Sequence, residues 1–167
     1  MITIGLISDT HIPERARSLA PLIHDMFKEV DVILHAGDIT DEDVIIELQT
    51  IAPVEAVCGN MDCCSTLNLP EFKVLEFEDV RIGLCHGAGN RHNIIDRMIH
   101  LFKPKKVDVI VFGHTHKSII TEKNGVYLIN PGSASDRVFS ESNSIGILKV
   151  NDGKVIRIEI IELLFDN

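Results

Sequence analysis

Asp9, His11, Asp38, Asn60, His86, His114 and His116 are spread along the chain, yet they stand just beyond five successive short apolar runs. They fall in the polar knots Asp9-Thr10-His11, Gly37-Asp38, Gly59-Asn60, His86-Gly87 and His114-Thr115-His116, and a sixth knot follows at Asn130-Pro131-Gly132-Ser133. Carboxylate, amide and imidazole groups are hard-to-borderline oxygen and nitrogen donors, suited to Mn, Mg, Fe, Ni or Zn. One Asp or His at a strand end usually caps a turn. The same residue types repeated after successive apolar runs point to a metal site. Gly37, Gly59, Gly87 and Gly113 adjoin these residues, where tight turns and close backbone approach are needed, although singly each reads as an ordinary turn glycine. Asp9 with His11, and His114 with His116, are spaced i, i+2, so on extended backbone each pair points to one side.

The elements that must position these residues are legible as hydrophobic patterning. Apolar runs at 2–7, 32–34 and 54–57 alternate with helix-like stretches at 17–29 and 41–51, a β-α-β-α-β pattern whose continuously apolar strands suit a parallel sheet covered on both faces. Acidic residues after Thr40 (Asp41, Glu42, Asp43) read as charges at a helix start. After Pro70 come a hairpin of 72–77 and 80–85 around Glu78-Asp79, and a helix at 91–102 stopped by Pro104. Strands at 107–112, 118–122, 126–129, 144–150 and 155–163 follow, with Asn124-Gly125 and Asp152-Gly153 as the strongest hairpin turns. The pattern predicts a parallel α/β start and a mainly antiparallel second half. The expected fold is α/β, a four-layer α-β-β-α sandwich with two mixed sheets face to face and helices outside.

The 167 residues suit a single domain spanning 1–167, which at this size buries roughly 70% of its unfolded surface. A formal net charge of −9 argues against binding to duplex nucleic acid, where basic groups must release counterions. Cys58, Cys63, Cys64 and Cys85 lack CxxC spacing and are expected as reduced thiols of a cytoplasmic protein, Cys58 and Cys85 as small buried hydrophobes. The start has no basic region or long apolar core of a signal peptide, and no run approaches a membrane span of roughly 20 residues. A homo-oligomer is left open.

In order and spacing, Asp9-Thr10-His11, Gly37-Asp38, Gly59-Asn60-Met61-Asp62, His86 and Gly113-His114-Thr115-His116 resemble the signature of the calcineurin-like metallophosphoesterases over roughly residues 2–135. The small size and Asn130-Pro131-Gly132-Ser133 look most like the YfcE-type phosphodiesterases, whose relatives include a subunit of the retromer coat. The resemblance implies two divalent metal ions, Mn or Ni foremost and Zn, Fe, Mg or Co as alternatives. It implies that Asp9, His11 and His116 hold one and Asn60, His86 and His114 the other, with Asp38 bridging. A hydroxide shared by the two ions would then hydrolyse a small phosphodiester, with Asp38, Asn60 and His86 at the centre of the chemistry.

One departure matters. Where the superfamily commonly has histidine after Gly-Asn, this chain has Met61, a thioether that cannot donate a proton. That moves the expectation from a monoesterase toward a phosphodiesterase, with His92 as the candidate replacement acid. Arg15 and Arg91 follow ligand-bearing loops and are candidate phosphate clamps. Asp62 is expected to orient a neighbour, His35 to be structural, and Ser133 to be a turn hydroxyl. Two alternatives stand beside this reading: a weak or inactive interaction scaffold of the same fold, and a phosphomonoesterase with a recruited acid.

Overall fold

The computed structural model describes residues 1–63, 67–140 and 142–164. The first half runs β1 (Ile2–Ile7), α1 (Pro21–Phe27), β2 (Val32–His35), α2 (Glu42–Gln49) and β3 (Val54–Ala56). Then come β4 (Phe72–Phe77), β5 (Val80–Cys85), α3 (Ile94–Phe102), β6 (Val109–Val111), β7 (Ile119–Lys123) and β8 (Val126–Asn130). The chain closes with β9 (Asn143–Asn151) and β10 (Lys154–Leu163). Two five-stranded sheets result, in the orders β10-β9-β1-β2-β3 and β4-β5-β6-β8-β7.

Parallel pairing joins three neighbouring strands in each sheet, at one side of the first and in the middle of the second. The neighbours β1, β2 and β3 are parallel in one, and β5, β6 and β8 in the other. The remaining pairs are antiparallel, β9 on β1, β10 on β9, β4 on β5 and β7 on β8. The second half is mainly antiparallel, as its turn signals suggested, with one departure: β6 pairs in parallel with both β5 and β8. In β6, Val109, Ile110 and Val111 are all buried, which fits a strand covered on both faces and paired in parallel.

Three apolar clusters define the layers. Ile23 and Phe27 of α1 and Val44 and Leu48 of α2 pack on Ile7, Ile33 and Ile145 at the outer face of the first sheet. Between the sheets lie Ile4, Leu6 and Leu34 against Ile82, Leu84, Val109 and Ile129. On the far side Met98 and Phe102 of α3 cover Cys85, Ile110 and Leu128. Alternation along β1 explains this division, since Ile4 and Leu6 face the other sheet while Ile7 faces the helices. The fold is thus the expected α-β-β-α sandwich.

Local chemistry sets the boundaries. Pro21 opens α1, later than the pattern suggested, because its fixed φ suits the first helical position. Asp41 caps α2 by accepting the Asp43 N–H, with Glu42 and Asp43 in the first turn. The first turn of the third predicted helix is a 3₁₀ turn, Arg91–Asn93, where Asn90 accepts the His92 N–H. Asn124 and Gly125, and Asp152 and Gly153, have positive φ, as type I′ hairpins require. Among the described residues no helix is long and apolar enough to cross a membrane.

One cysteine expectation needs correction. Cys58 is disulfide-bonded, which removes it from the argument for reduced thiols. Sequence spacing alone missed that the loop after β3 folds back on its strand: the Cys58 N–H donates to the Pro70 carbonyl at 2.8 Å. Cys64 lies outside the described residues. Cys85 is a free buried thiol, its pKa pushed up to about 12 by burial.

Each outer layer rests an aromatic ring on a strand glycine, Phe27 over Gly5 and Phe102 over Gly83. A Cβ at Gly83 would lie 2.7 Å from the Phe102 ring, and that ring is buried. Gly83→Ala is expected to lower unfolding free energy by about 1–3 kcal/mol through overpacking, read by urea denaturation. An unchanged midpoint would show that the ring shifts freely.

Candidate metal centre

Six strands deliver their carboxyl ends to one edge of the sandwich. Asp9 and His11 follow β1, Asp38 follows β2, Asn60 follows β3, His86 follows β5, His114 and His116 follow β6, and Ser133 and Asp136 follow β8. The i, i+2 pairs do not converge through extended backbone. Asp9, His11, Asp38, His114 and His116 all have positive φ, between 43° and 69°. Asp and His tolerate this region better than most residues, but non-glycine backbone held in sparsely populated regions costs of order 1–3 kcal/mol per residue. The turns throw the side chains inward, and the surrounding packing holds them there.

Glycine is required where these turns meet. A Cβ on Gly59 would lie 2.1 Å from Asp38 Oδ1, and one on Gly113 would lie 2.0 Å from Ser8 Oγ and 2.7 Å from Asp9 Oδ2. No larger residue fits beside either carboxylate.

One donor atom from each of Asp9, His11, Asp38 and His116 lies within 4.8 Å of all the others. Their orientation is informative. The buried Asp9 takes hydrogen bonds on Oδ2, from the Ser8 hydroxyl at 2.6 Å and the His114 N–H at 3.1 Å. Its buried Oδ1 accepts no conventional hydrogen bond from the described residues and points at His116 Nε2, 3.2 Å away. His116 Nδ1 lies 2.7 Å from Asp136 Oδ2, so the proton belongs on Nδ1 and the Nε2 lone pair faces the site. His11 Nε2 lies 3.3 Å from His116 Nε2 and 3.5 Å from Asp38 Oδ2.

The neighbouring group repeats the logic. His86 Nδ1 donates to the Ala36 carbonyl at 2.7 Å, leaving Nε2 as a lone pair 3.2 Å from Asp38 Oδ2 and 3.1 Å from Asn60 Oδ1. His114 Nε2 donates to the Gly89 carbonyl at 2.9 Å, leaving Nδ1 3.0 Å from the same Asn60 oxygen. Asp38 stands between the two groups, with Oδ2 toward His11 and His86 and Oδ1 held by the Met61 N–H at 2.8 Å. Acceptors therefore face acceptors throughout. Only a positive centre relieves that, and divalent cations are what this donor set suits.

The protonation equilibria register the same demand. Burial opposes charge on His86, yet its contact with Asp38 and the charge of Asp9 outweigh burial and raise its pKa. His116 is raised against burial by Asp9 and Asp136. Burial would raise Asp9, but its contacts with His11 and His116 hold it well below the usual carboxylate range. The Asp38 carboxyl is lowered too, because the His86 contact outweighs burial.

Around this cluster sit residues that hold it. Asp62 accepts from the N–H groups of Gly59, Ile39 and Thr40 at 2.7–2.8 Å and so ties the Asp38 and Asn60 loops together, as an orienting residue should. His35 is fully buried; its Nδ1 accepts the Gly37 N–H at 3.2 Å, and Nε2 lies 3.1 Å from the Thr10 hydroxyl. Ser133 donates to the Asp9 carbonyl at 2.7 Å and Ser135 to the Thr10 carbonyl, so the β8–β9 loop clamps the first ligand turn. Asp136, which orients the His116 ring, is a residue the sequence motifs did not single out. The signal was its place just after the sixth polar knot.

The expected phosphate clamps and the spare acid lie further out. Arg15 is exposed and stacks over the Phe139 ring at 4.9 Å. Arg91 and His92 are exposed on the 3₁₀ turn, and neither lines the cleft that opens beside Asn60 and His86. Met61 projects a half-exposed thioether, 54% accessible, next to the site.

Residues 2–153 match the calcineurin-like phosphoesterase superfamily domain, and the chain belongs to that superfamily. A probable metallophosphoesterase of Methanothermobacter thermautotrophicus is 40% identical over 158 residues, covering 95% of this chain and 91% of that protein. The structure of an archaeal phosphodiesterase is similar with 26% identity and TM-score 0.76, covering 97% of this chain and 100% of the other. Wild-type Vps29 of Entamoeba histolytica in complex with zinc is similar with 26% identity and TM-score 0.78, covering 96% and 99%. The superfamily makes this chain a metallophosphoesterase, with Asp9, His11, Asp38 and His116 as residues that could hold a metal.

Two outcomes follow from these supports. Asp136→Ala should weaken Mn²⁺ binding about 10–100-fold by freeing the His116 ring, with Asp136→Asn in between, read by isothermal titration; unchanged affinity in both would remove this role. His35 is neutral because burial lowers its pKa from 6.5 to about 4. Its stabilising contribution is fully present above pH 6.5 and is lost as pH falls toward 4, up to about 3 kcal/mol. Unfolding free energy of His35→Gln should therefore fall less steeply than wild type between pH 6.5 and 4. An equal slope would show that His35 does not titrate with folding.

Proposed function

We propose that this protein is a phosphodiesterase working with two divalent cations that share Asp38. The observation that carries the reading is the convergence of imidazole nitrogens with carboxylate and amide oxygens in two adjoining groups about one carboxylate. Asp9, His11 and His116 would hold one cation, and Asn60, His86 and His114 the other. When bound, the cations supply Lewis acidity toward water and toward the phosphoryl oxygens.

The chain's own residues do the positioning. Asp38 serves both groups because a carboxylate has two oxygens and a charge that offsets two cations. Asn60 offers a neutral oxygen to His86 and His114 on the other side, so less charge is neutralised there. At the position after Asn60 the chain has only the Met61 thioether, and general acid catalysis is typically worth about 10²–10⁴-fold. Substrates whose leaving group departs without protonation are therefore favoured, which supports a diester over a monoester. The archaeal phosphodiesterase among the similar structures supports the same class.

With Mn²⁺ or Ni²⁺, purified protein should hydrolyse bis(p-nitrophenyl) phosphate faster than p-nitrophenyl phosphate. Asp38→Asn and His86→Ala should each reduce the diester rate at least 100-fold. Turnover that needs no metal, or that survives both substitutions, would contradict the mechanism. The likeness to Vps29 motivates a second reading, an interaction scaffold; a stoichiometric protein partner together with no hydrolysis under any of these metals would favour it.

A further inference from the structure

A cleft of about 1050 Å³ opens directly from Asn60 and His86 and runs between the start of β4 and helix α3. Its floor and walls include Phe72, Met98 and Leu101. Phe72 and Leu101 are each 39% exposed, an unusual use of large apolar side chains beside a polar centre. The Phe72 ring is fixed edge-on against Phe102 at 5.9 Å, so this wall is preformed. Polar groups of both signs sit at the rim and most are engaged: the Arg97 guanidinium donates to the Ala88 carbonyl, Asp96 pairs with Lys123, and Lys105 Nζ lies 5.7 Å over the Phe72 ring, while His100 and Glu71 are exposed.

We infer that this cleft binds the organic ester group of the substrate, and that this group is uncharged and apolar, an alkyl chain or aromatic ring. The inference rests on the phosphodiesterase reading and deepens it. A phosphoryl group held between Asp38 and Asn60 has one ester oxygen facing this opening, since Asn60 and His86 line both the centre and the cleft. A concave, largely apolar space of this size matches a small-molecule pocket. Glu71 at the rim disfavours a second phosphate or carboxylate on that group, and the chain's net charge of −9 adds to the bias.

Monoalkyl phosphates test this with a single apolar arm, measured as Kd by titration into Mn²⁺-loaded protein. Hexyl phosphate should bind at least tenfold tighter than methyl phosphate, and Leu101→Asp should bring the ratio toward one. Phe72→Ser gives a second wall variant, and a wild-type far-UV spectrum confirms that each variant is folded. A hexyl-to-methyl ratio near one in wild type, or a ratio that both variants leave unchanged, overturns the cleft assignment. Failure of the phosphodiesterase reading looks different: bis(p-nitrophenyl) phosphate is not hydrolysed while the alkyl-chain preference persists. If neither phosphate binds, the cleft assignment falls, while the phosphodiesterase reading stands or falls on hydrolysis of bis(p-nitrophenyl) phosphate.

Discussion

Lone pairs facing lone pairs are the constraint on which the rest of this structure depends. His86 and His116 each spend one ring nitrogen on an acceptor, Ala36 and Asp136, and turn the other toward carboxylate or amide oxygens. Left alone, such a cluster repels itself. The carboxylates raise the histidine pKa values and the histidines hold Asp9 well below the usual carboxylate range, so the cluster favours positive charge among its oxygens. Everything nearby resists the cluster's tendency to spread: glycines that admit the carboxylates, Asp62 across three N–H groups, and the serines of the β8–β9 loop.

Such a cluster needs a scaffold that does not yield. A parallel triplet in each sheet brings six strand ends to one edge, and the three apolar layers behind them fix the strand positions. Backbone strain at five inward-turning residues is tolerable because it sits at the ends of buried strands rather than in free loops. The organic part of a substrate meets a different surface, one of exposed aromatic and aliphatic side chains next to a polar centre.

Much of this was legible in the sequence because it depends on local signals. Apolar runs bounded by Gly, Asp and Asn marked the strands, and the hairpins at Glu78-Asp79, Asn124-Gly125 and Asp152-Gly153 fell where the turn residues indicated. The residues that converge, Asp9, His11, Asp38, Asn60, His86, His114 and His116, were all named from their types and order. What was not legible depends on the third dimension. Parallel pairing of β6 with β5 and β8 leaves no turn signature, since crossover connections carry none. The inward geometry at Asp9 and His11 comes from left-handed backbone, where spacing suggested extended chain. Asp136 acts on His116 from 20 residues along the chain, and the outward placement of His92 follows from a 3₁₀ turn that periodicity reads as helix.

The central claim is that this cluster is built around a pair of cations. Its most direct test is the stoichiometry of Mn²⁺ bound to metal-stripped protein by equilibrium dialysis, wild type against Asp38→Asn. The account predicts two ions per chain in wild type and a loss of affinity at both sites when the shared carboxylate is neutralised. One ion per chain, or two that are indifferent to Asp38, would contradict it.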